Sequence, residues 1–127
     1  MSELTLQIDD NRTAFRPGDR VTGTATWSLD DAADWLEVRL LWFTRGKGTQ
    51  DASTVGQHHI QMPPRTGHEK FSLKLPEGPY SFSGKLISLV WALELVAPKG
   101  KEATRVEFIV SPTAAEIELG DPAEVSP

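Results

Sequence analysis

Cysteine is absent from this chain of 127 residues, and so is any excess of positive charge. Without thiols, the sequence excludes a disulfide framework, thiol catalysis and every metal site built on thiolate ligands. Its 13 basic residues stand against 18 acidic ones, and the net charge of −5 opposes a general attraction to phosphate backbones or anionic membranes. We therefore expect no nucleic acid among its partners.

A long apolar run is also missing. The most apolar segment, LISLVWALELVA, covers residues 86–97 and contains Ser88 and Glu94, so it is too short and too polar to cross a bilayer. The first ten residues, MSELTLQIDD, show no basic stretch followed by an apolar one, and no secretory signal is visible. We predict a cytoplasmic protein without membrane insertion.

A helical period is lacking too, because apolar and polar residues alternate along most of the chain. Turn signals such as the Pro17-Gly18 pair separate the alternating segments. This pattern predicts an all-β fold, an immunoglobulin-like antiparallel β-sandwich of about seven strands. The predicted strands are ELTLQID (3–9), RVTGTATWSL (20–29), WLEVRLLWFTRG (35–46), TVGQHHIQ (54–61), HEKFSLKL (68–75), GKLISLVWALELVA (84–97) and EATRVEFIV (102–110).

The length suits one domain with one core. We predict that residues 1–110 form the sandwich. Residues 111–127 contain prolines and acidic side chains without a basic one, which is typical of a solvated, flexible tail. A short edge strand through Ile117 and Leu119 is the alternative for part of this tail.

Three segments, taken together, resemble the N-terminal domain of the arrestin family: FRPGDRVTGTATW, LEVRLLWFTRG and FSLKLPEGPYSFSGKLISLVWALEL. In that family a proline-glycine turn leads into a V-x-G strand. An aromatic strand then reaches Leu-Pro, followed by a Pro-x-Ser segment and a glycine. The likeness covers residues 4–110, and the matching positions are Pro17, Gly18, Val21, Gly23, Phe71, Leu75, Pro76, Pro79, Ser81, Phe82 and Gly84.

This resemblance implies an adaptor or scaffold that binds other proteins without catalysis and without a cofactor. Family members pair two sandwiches, whereas this sequence contains one. Phosphate-sensing arrestins carry lysines on the first strand and an acidic residue inside V-x-G. Here those positions hold ELTLQ and Thr22, so phosphate-activated receptor binding is not supported.

The residues themselves give little support to a metal site or an active site. His58 and His59 are adjacent and point to opposite faces of a strand, so they cannot both ligate one metal in ordinary geometry. No nucleophile with a base at interpretable spacing is visible. We predict no metal, no cofactor and no enzyme. An accessory enzyme domain is an alternative, and it would need His58, His59 or His68 to meet a carboxylate.

Apolar side chains are in excess on the outward faces of two predicted strands, residues 35–46 and 84–97. If these strands are neighbours, the side chains form a patch that would mark an association surface. A protein partner of unknown identity or a second copy of the chain would cover it, unless a terminal segment does. With two aromatic candidates added, the predicted interaction surface consists of Leu41, Phe43, Leu86, Val90, Ala92, Trp35 and Tyr80.

Two of these residues also define an alternative function. A concave pocket containing Trp35 or Tyr80 would favour a module that binds a small ligand or a carbohydrate, because aromatic faces stack on sugars. Three other tryptophans fit inward patterns. The PEGPYSFSG segment around Tyr80 is interpreted as a joint between two strands, at the same end of the sandwich as the FRPGDR turn, with Phe82 inside and Tyr80 outside.

Overall fold

The computed structural model describes residues 2–46, 50–84, 86–98, 103–113 and 117–119. These residues form ten strands and one 3-10 turn, Asp9–Asn11. The strands are β1 (Glu3–Ile8), β2 (Ala14–Phe15), β3 (Arg20–Ser28), β4 (Trp35–Gly46), β5 (Ala52–Gln61), β6 (Thr66–Lys74), β7 (Phe82–Gly84), β8 (Ile87–Val96), β9 (Ala103–Val110) and β10 (Ile117–Leu119).

The strands form two sheets. The smaller sheet has the order β1-β3-β6, and the larger one the order β10-β7-β8-β4-β5. One edge of β8 forks, because β7 pairs with its first residues and β9 with residues 91–96. The main strand pairs are antiparallel, and only the short pairs β10-β7 and β2-β9 are parallel. The predicted all-β sandwich is confirmed.

All seven predicted strands are present, as β1, β3, β4, β5, β6, β8 and β9. The segment TVGQHHIQ lies within β5. Loop length favours this strand, because a structureless connection from Thr44 to Gly67 would be uncommon in a compact domain. The sequence pattern did not separate β2 and β7, because strands of two or three residues are too short to show alternation. Their existence depends on pairing with β9 and β8.

The core lies between the inward faces of the two sheets. Trp91 of β8 is fully buried, and its indole Nε1 donates a hydrogen bond to the Pro79 carbonyl at 2.8 Å. Trp27 of β3 is buried in the same way, with its Nε1 bonded to the Pro64 carbonyl at 2.8 Å. Trp42 is partly buried and packs against the core. The inward assignment of these three tryptophans is correct.

Gly23 lies within β3 because the neighbouring groups approach too closely for a side chain. A Cβ atom here would lie 2.3 Å from the carbonyl oxygen of Gln7 and 2.8 Å from the Phe71 ring. Both distances are too short for real carbon contacts. The β1 backbone and the Phe71 ring therefore occupy the space that a side chain at position 23 would need. The glycine of the V-x-G segment is therefore a packing requirement of the smaller sheet.

The segment from Leu75 to Ser81 connects the two sheets, from β6 to β7. The Leu75 amide donates a hydrogen bond to the Asp19 carbonyl at 2.8 Å, so this segment and the FRPGDR turn lie at the same end of the sandwich, as predicted. Ser81 is fully buried. Phe82 packs half-buried against the core and Tyr80 is exposed, which agrees with the interpretation as a joint.

Most of the predicted tail lies outside the described residues, and its flexibility stays a prediction. Residues 117–119 are described, and they form β10, which pairs in parallel with β7. This agrees with the alternative of a short edge strand through Ile117 and Leu119. Within the ranges described above, no helix has the length and apolar character needed to cross a membrane.

Candidate interaction surface on the outer face of the larger sheet

The outer face of the larger sheet is the face of β4, β8 and β9 that points away from the core. Strands β4 and β8 are direct neighbours, as the predicted surface required. In their antiparallel register, Leu41 is opposite Ala92 and Phe43 is opposite Val90. Cross-strand partners point to the same face, so these four side chains form one contiguous patch.

Burial divides this patch into a floor and an accessible part. Leu41 is 8% exposed and Ala92 0%, so both lie beneath their neighbours and are not free for contact. Phe43 and Val90 are half-buried, and Leu86, just before β8, is 67% exposed. The accessible apolar surface is therefore smaller than the sequence pattern indicated, and it is centred on Phe43.

Two arginine side chains lie over the Phe43 ring. The guanidinium carbon of Arg105 is 4.6 Å from the ring centroid and that of Arg45 is 5.3 Å away. Each guanidinium is held by a carboxylate, because Arg105 bonds to Glu94 at 2.5 Å and Arg45 to Glu107 at 2.6 Å. Cation–π contact and ion pairing together keep the ring covered without burying it.

Sequence reasoning missed this arrangement of arginines. Arg45 could have been found, because it lies two residues after Phe43 on the same face of β4. Arg105 could not, because it comes from β9 and reaches the patch only through the pairing of β9 with β8, where it is opposite Glu94. That register joins two separate strands, and no local sequence pattern indicates it.

A second charged group occupies the other half of the outer face. Glu37 is buried and accepts hydrogen bonds from Arg39 at 2.7 Å and from His59 at 3.3 Å. Burial alone would raise the pKa of Glu37, but these two bonds outweigh it and the net pKa lies below its ordinary value of 4.5. The carboxylate therefore stays ionised and orders its two neighbours.

Two shallow depressions flank Arg45, which contributes to both. The larger, of about 540 Å³, has Leu41 and Phe43 in its lining. The smaller, of about 240 Å³, lies at the fork where β7 and β9 both meet β8, and its lining includes the hydroxyl side chains of Thr13, Ser81, Ser83 and Ser88. The patch is thus bordered by concave surface on both sides.

The two remaining predicted residues lie elsewhere. Trp35 is half-buried at the start of β4, with its ring centroid 6.0 Å from that of His59. Tyr80 is exposed on the segment that connects the sheets. Neither residue lines either depression, so these two concavities do not meet the condition set for a carbohydrate site.

The histidines of β5 point to opposite faces, as predicted. His58 reaches across to the smaller sheet and meets Glu69 at 2.5 Å, whereas His59 meets Glu37 on the outer face. Each histidine thus meets one carboxylate, which is the condition set for the enzyme alternative. No hydroxyl group is hydrogen-bonded to either ring in the described part of the chain. Among the residues that the structure describes, no three histidine, aspartate or glutamate side chains lie close enough together to hold a metal ion.

Comparison with known proteins gives a structural likeness only. No family model matches the chain, and no curated protein matches it. Among solved structures, the chain is similar to the sporulation control protein Spo0M from Bacillus subtilis, which has an arrestin-like fold, with a TM-score of 0.60 and 17% identity. The likeness covers 87% of this chain and 49% of Spo0M, so this chain spans about half the length of that protein. At this identity the comparison shows a shared fold.

Proposed function

We propose that this chain is a non-catalytic adaptor or scaffold module of the arrestin type, and that the outer face around Phe43 binds a protein partner. The single observation that carries the proposal is the half-buried Phe43 ring beneath two ion-paired arginines, between two depressions. The fold shared with Spo0M and the V-x-G and Leu-Pro segments support the arrestin type. Cytoplasmic location stays a prediction.

The composition of this surface suits a protein interface. Aromatic residues and arginine are enriched at the centres of interfaces, where they supply most of the binding energy within a polar rim. Here Phe43 and Val90 form the apolar centre, and the Arg45–Glu107 and Arg105–Glu94 pairs surround it. The two pairs balance in charge. The best-fitting partner therefore presents an apolar side chain among groups of both signs and is not strongly basic or acidic.

A small-ligand module is the second candidate, because hydroxyl groups line the depression at the fork of β8. Its volume of about 240 Å³ lies below the roughly 300–1,000 Å³ that ligand pockets usually have. The depression is also open to one side of the Phe43 patch, since the two share Arg45. These features favour a contact for part of a protein partner over a self-contained ligand pocket.

Comparative capture tests the proposed function. Wild-type protein and the Phe43→Ser, Leu86→Ser and Lys70→Ser variants are immobilised, and the proteins that each retains from native cell lysate are quantified. Phe43→Ser removes the apolar centre, whereas Leu86→Ser truncates an exposed side chain and cannot unfold the sandwich. Lys70 lies on the smaller sheet, so its variant is the matched control.

We expect Lys70→Ser to retain the same proteins as the wild type. Phe43→Ser should retain at least tenfold less of these proteins, because truncation of a hot-spot residue costs on the order of 1.4 kcal/mol or more of binding free energy. Leu86→Ser should retain an intermediate amount. Thermal unfolding of each variant checks that the fold is intact. Equal retention by all four proteins would contradict the proposed site.

A further inference from the structure

Strand β5 leaves one of its two sides unpaired in the described part of the chain, because it pairs only with β4. Proteins usually protect such edges with charged residues or proline. The free edges of the smaller sheet follow this rule, since β1 contains Glu3 and β6 contains Lys70 and Lys74. The ten residues of β5, ASTVGQHHIQ, contain no aspartate, glutamate, lysine, arginine or proline. The register with β4 shifts at Val55, so the part of the edge that is regular and open to pairing runs from Gly56 to Gln61.

Two exposed apolar side chains lie toward the two ends of this strand, Val55 in its first half and Met62 one residue after its last. Among the described residues only four large apolar side chains are exposed, and two of them are Val55, 41% exposed, and Met62, 65% exposed. The strand between them, from Gly56 to Gln61, is six residues long, or roughly 20 Å at 3.3 Å per residue. A second β5 running antiparallel to the first brings the Met62 end of one copy to the Val55 end of the other. A parallel arrangement would not.

We propose that two copies of this chain associate by antiparallel pairing of their β5 edges, so that the larger sheet continues from one copy into the other. The edge contains no aspartate, glutamate, lysine or arginine, so antiparallel pairing puts no like charges of the two copies directly opposite each other. Two-fold symmetry is the usual arrangement of a homodimer and requires a self-complementary surface. Strand β5 meets that requirement through its neutral composition and the position of its apolar ends.

The register follows from the side-chain positions. Gln57, His59 and Gln61 share the outer face, because they pair with Arg39, Glu37 and Trp35 of β4. With His59 on the two-fold axis, Gln57 is opposite Gln61 of the second copy, and side-chain amides can bond to each other. The same register brings the end of β5, next to Met62, close to Gly56 of the second copy, where no side chain competes for space. The Phe43 patch remains uncovered, so this dimer is independent of the proposed function.

Disulfide trapping tests the pairing directly, because an introduced cysteine is the only thiol in the chain. Directly opposed residues of an antiparallel pair have Cα atoms about 4.5–5.5 Å apart, within the range that a disulfide spans. We expect His59→Cys to form a linked dimer at least tenfold faster than His68→Cys on the β6 edge. Gln57→Cys and Gln61→Cys should link slowly alone and rapidly when the two proteins are mixed.

Charge variants give a second readout that does not depend on oxidation. Light scattering with size-exclusion chromatography should show a wild-type mass that rises toward two chains with concentration, since a single edge contact is small. The Gln57→Lys, Gln61→Lys double variant should stay monomeric because lysines would face each other. The Gln57→Glu, Gln61→Lys variant should dimerise again.

Three results would overturn the proposal. The first is a wild-type protein that stays monomeric over the whole concentration range. The second is His59→Cys linkage no faster than that of the His68→Cys control. The third is a monomer whose β5 edge binds an extended segment of another protein, which would give the edge a different occupant.

Discussion

Glu37 is the residue whose environment sets the electrostatics of the outer face. Its carboxylate is buried in the sheet and accepts hydrogen bonds from Arg39 and His59. Strand β4 supplies the acid and one donor, and β5 supplies the other. The lowered pKa shows that the folded protein favours the ionised form more than the unfolded chain does, so ionisation of Glu37 stabilises the fold.

The pH dependence of stability follows from the sign of this change. A carboxylate with a lowered folded pKa adds stability above its unfolded pKa, and the stability is lost as the pH falls through the folded pKa. The ordinary value is 4.5. We therefore expect Glu37→Gln to lower the free energy of unfolding at pH 7, and the gap from wild type to narrow as the pH falls below about 4.5.

Urea unfolding of both proteins between pH 7 and pH 3 measures this gap. The expected cost at pH 7 is about 1.5–3 kcal/mol, the usual contribution of a hydrogen bond to a charged group. Glutamine does not ionise, so the narrowing of this gap reports on the protonation of the Glu37 carboxylate. A gap that stays constant down to pH 3 would contradict the role given to Glu37.

Phe43 shows why sequence alone predicted only part of the surface. Its outward direction follows from alternation along β4, and the neighbouring position of β8 follows from the fold. The arginine that covers the Phe43 ring could not be predicted in this way, because Arg105 belongs to a strand more than 50 residues later in the chain. Exposure of a side chain depends on such long-range neighbours, which no local pattern encodes.

At the scale of elements, the joint between β6 and β7 depends on one buried serine. The Ser81 amide donates a hydrogen bond to the Val110 carbonyl at 2.7 Å, and the Val110 amide donates one to the Ser81 hydroxyl oxygen at 2.9 Å. These two bonds join the start of β7 to the end of β9. They close the fork on β8 at one end and leave the smaller depression between the two strands.

Removing the hydroxyl group should weaken this joint. Ser81→Ala leaves the buried Val110 amide without its acceptor, which costs about 1–3 kcal/mol of unfolding free energy. Ser83→Ala, two residues further along β7 and only half-buried, is the matched control and should cost less than about 0.5 kcal/mol. Chemical denaturation of the two variants makes the comparison. Equal costs would show that the joint does not depend on this pair of bonds.

The elements themselves were predictable to the extent that they carry a pattern. Strands of six or more residues show alternation, and all seven were found in the sequence. The edge strand β5 required an argument about loop length, because its alternation is weak around Gly56 and its register with β4 shifts between Leu40 and Leu41. Strands β2 and β7 are local consequences of pairing, so they could not be predicted before the sheet was known.

Within the part of the whole molecule that the structure describes, the two sheets bury their facing sides and leave two features uncovered. One is the Phe43 patch on the outer face, and the other is the β5 edge. They lie on the same sheet but in different directions, because a face is covered by side-chain contacts whereas an edge is extended by backbone hydrogen bonds. A module of this shape can pair with a second copy and still present its outer face to another protein.

The fold class was predictable because it rests on alternation, turn residues and the absence of a helical period, which are spread over the whole chain. For the candidate surface, the sequence predicted only which face of the sheet carries it, from the outward positions of Phe43 and Val90 on neighbouring strands. Which side chains stay accessible, and where the concave surface lies, depends on the register among β4, β8 and β9.

Site-specific photo-crosslinking tests the central claim most directly. A benzophenone amino acid replaces Phe43 in one protein and Lys70 in another, both are expressed in native cells, and irradiation products are identified by mass spectrometry. If the outer face binds a protein partner, position 43 gives a crosslink to a second protein and position 70 does not. The same products at both positions, or none at position 43, would contradict the claim.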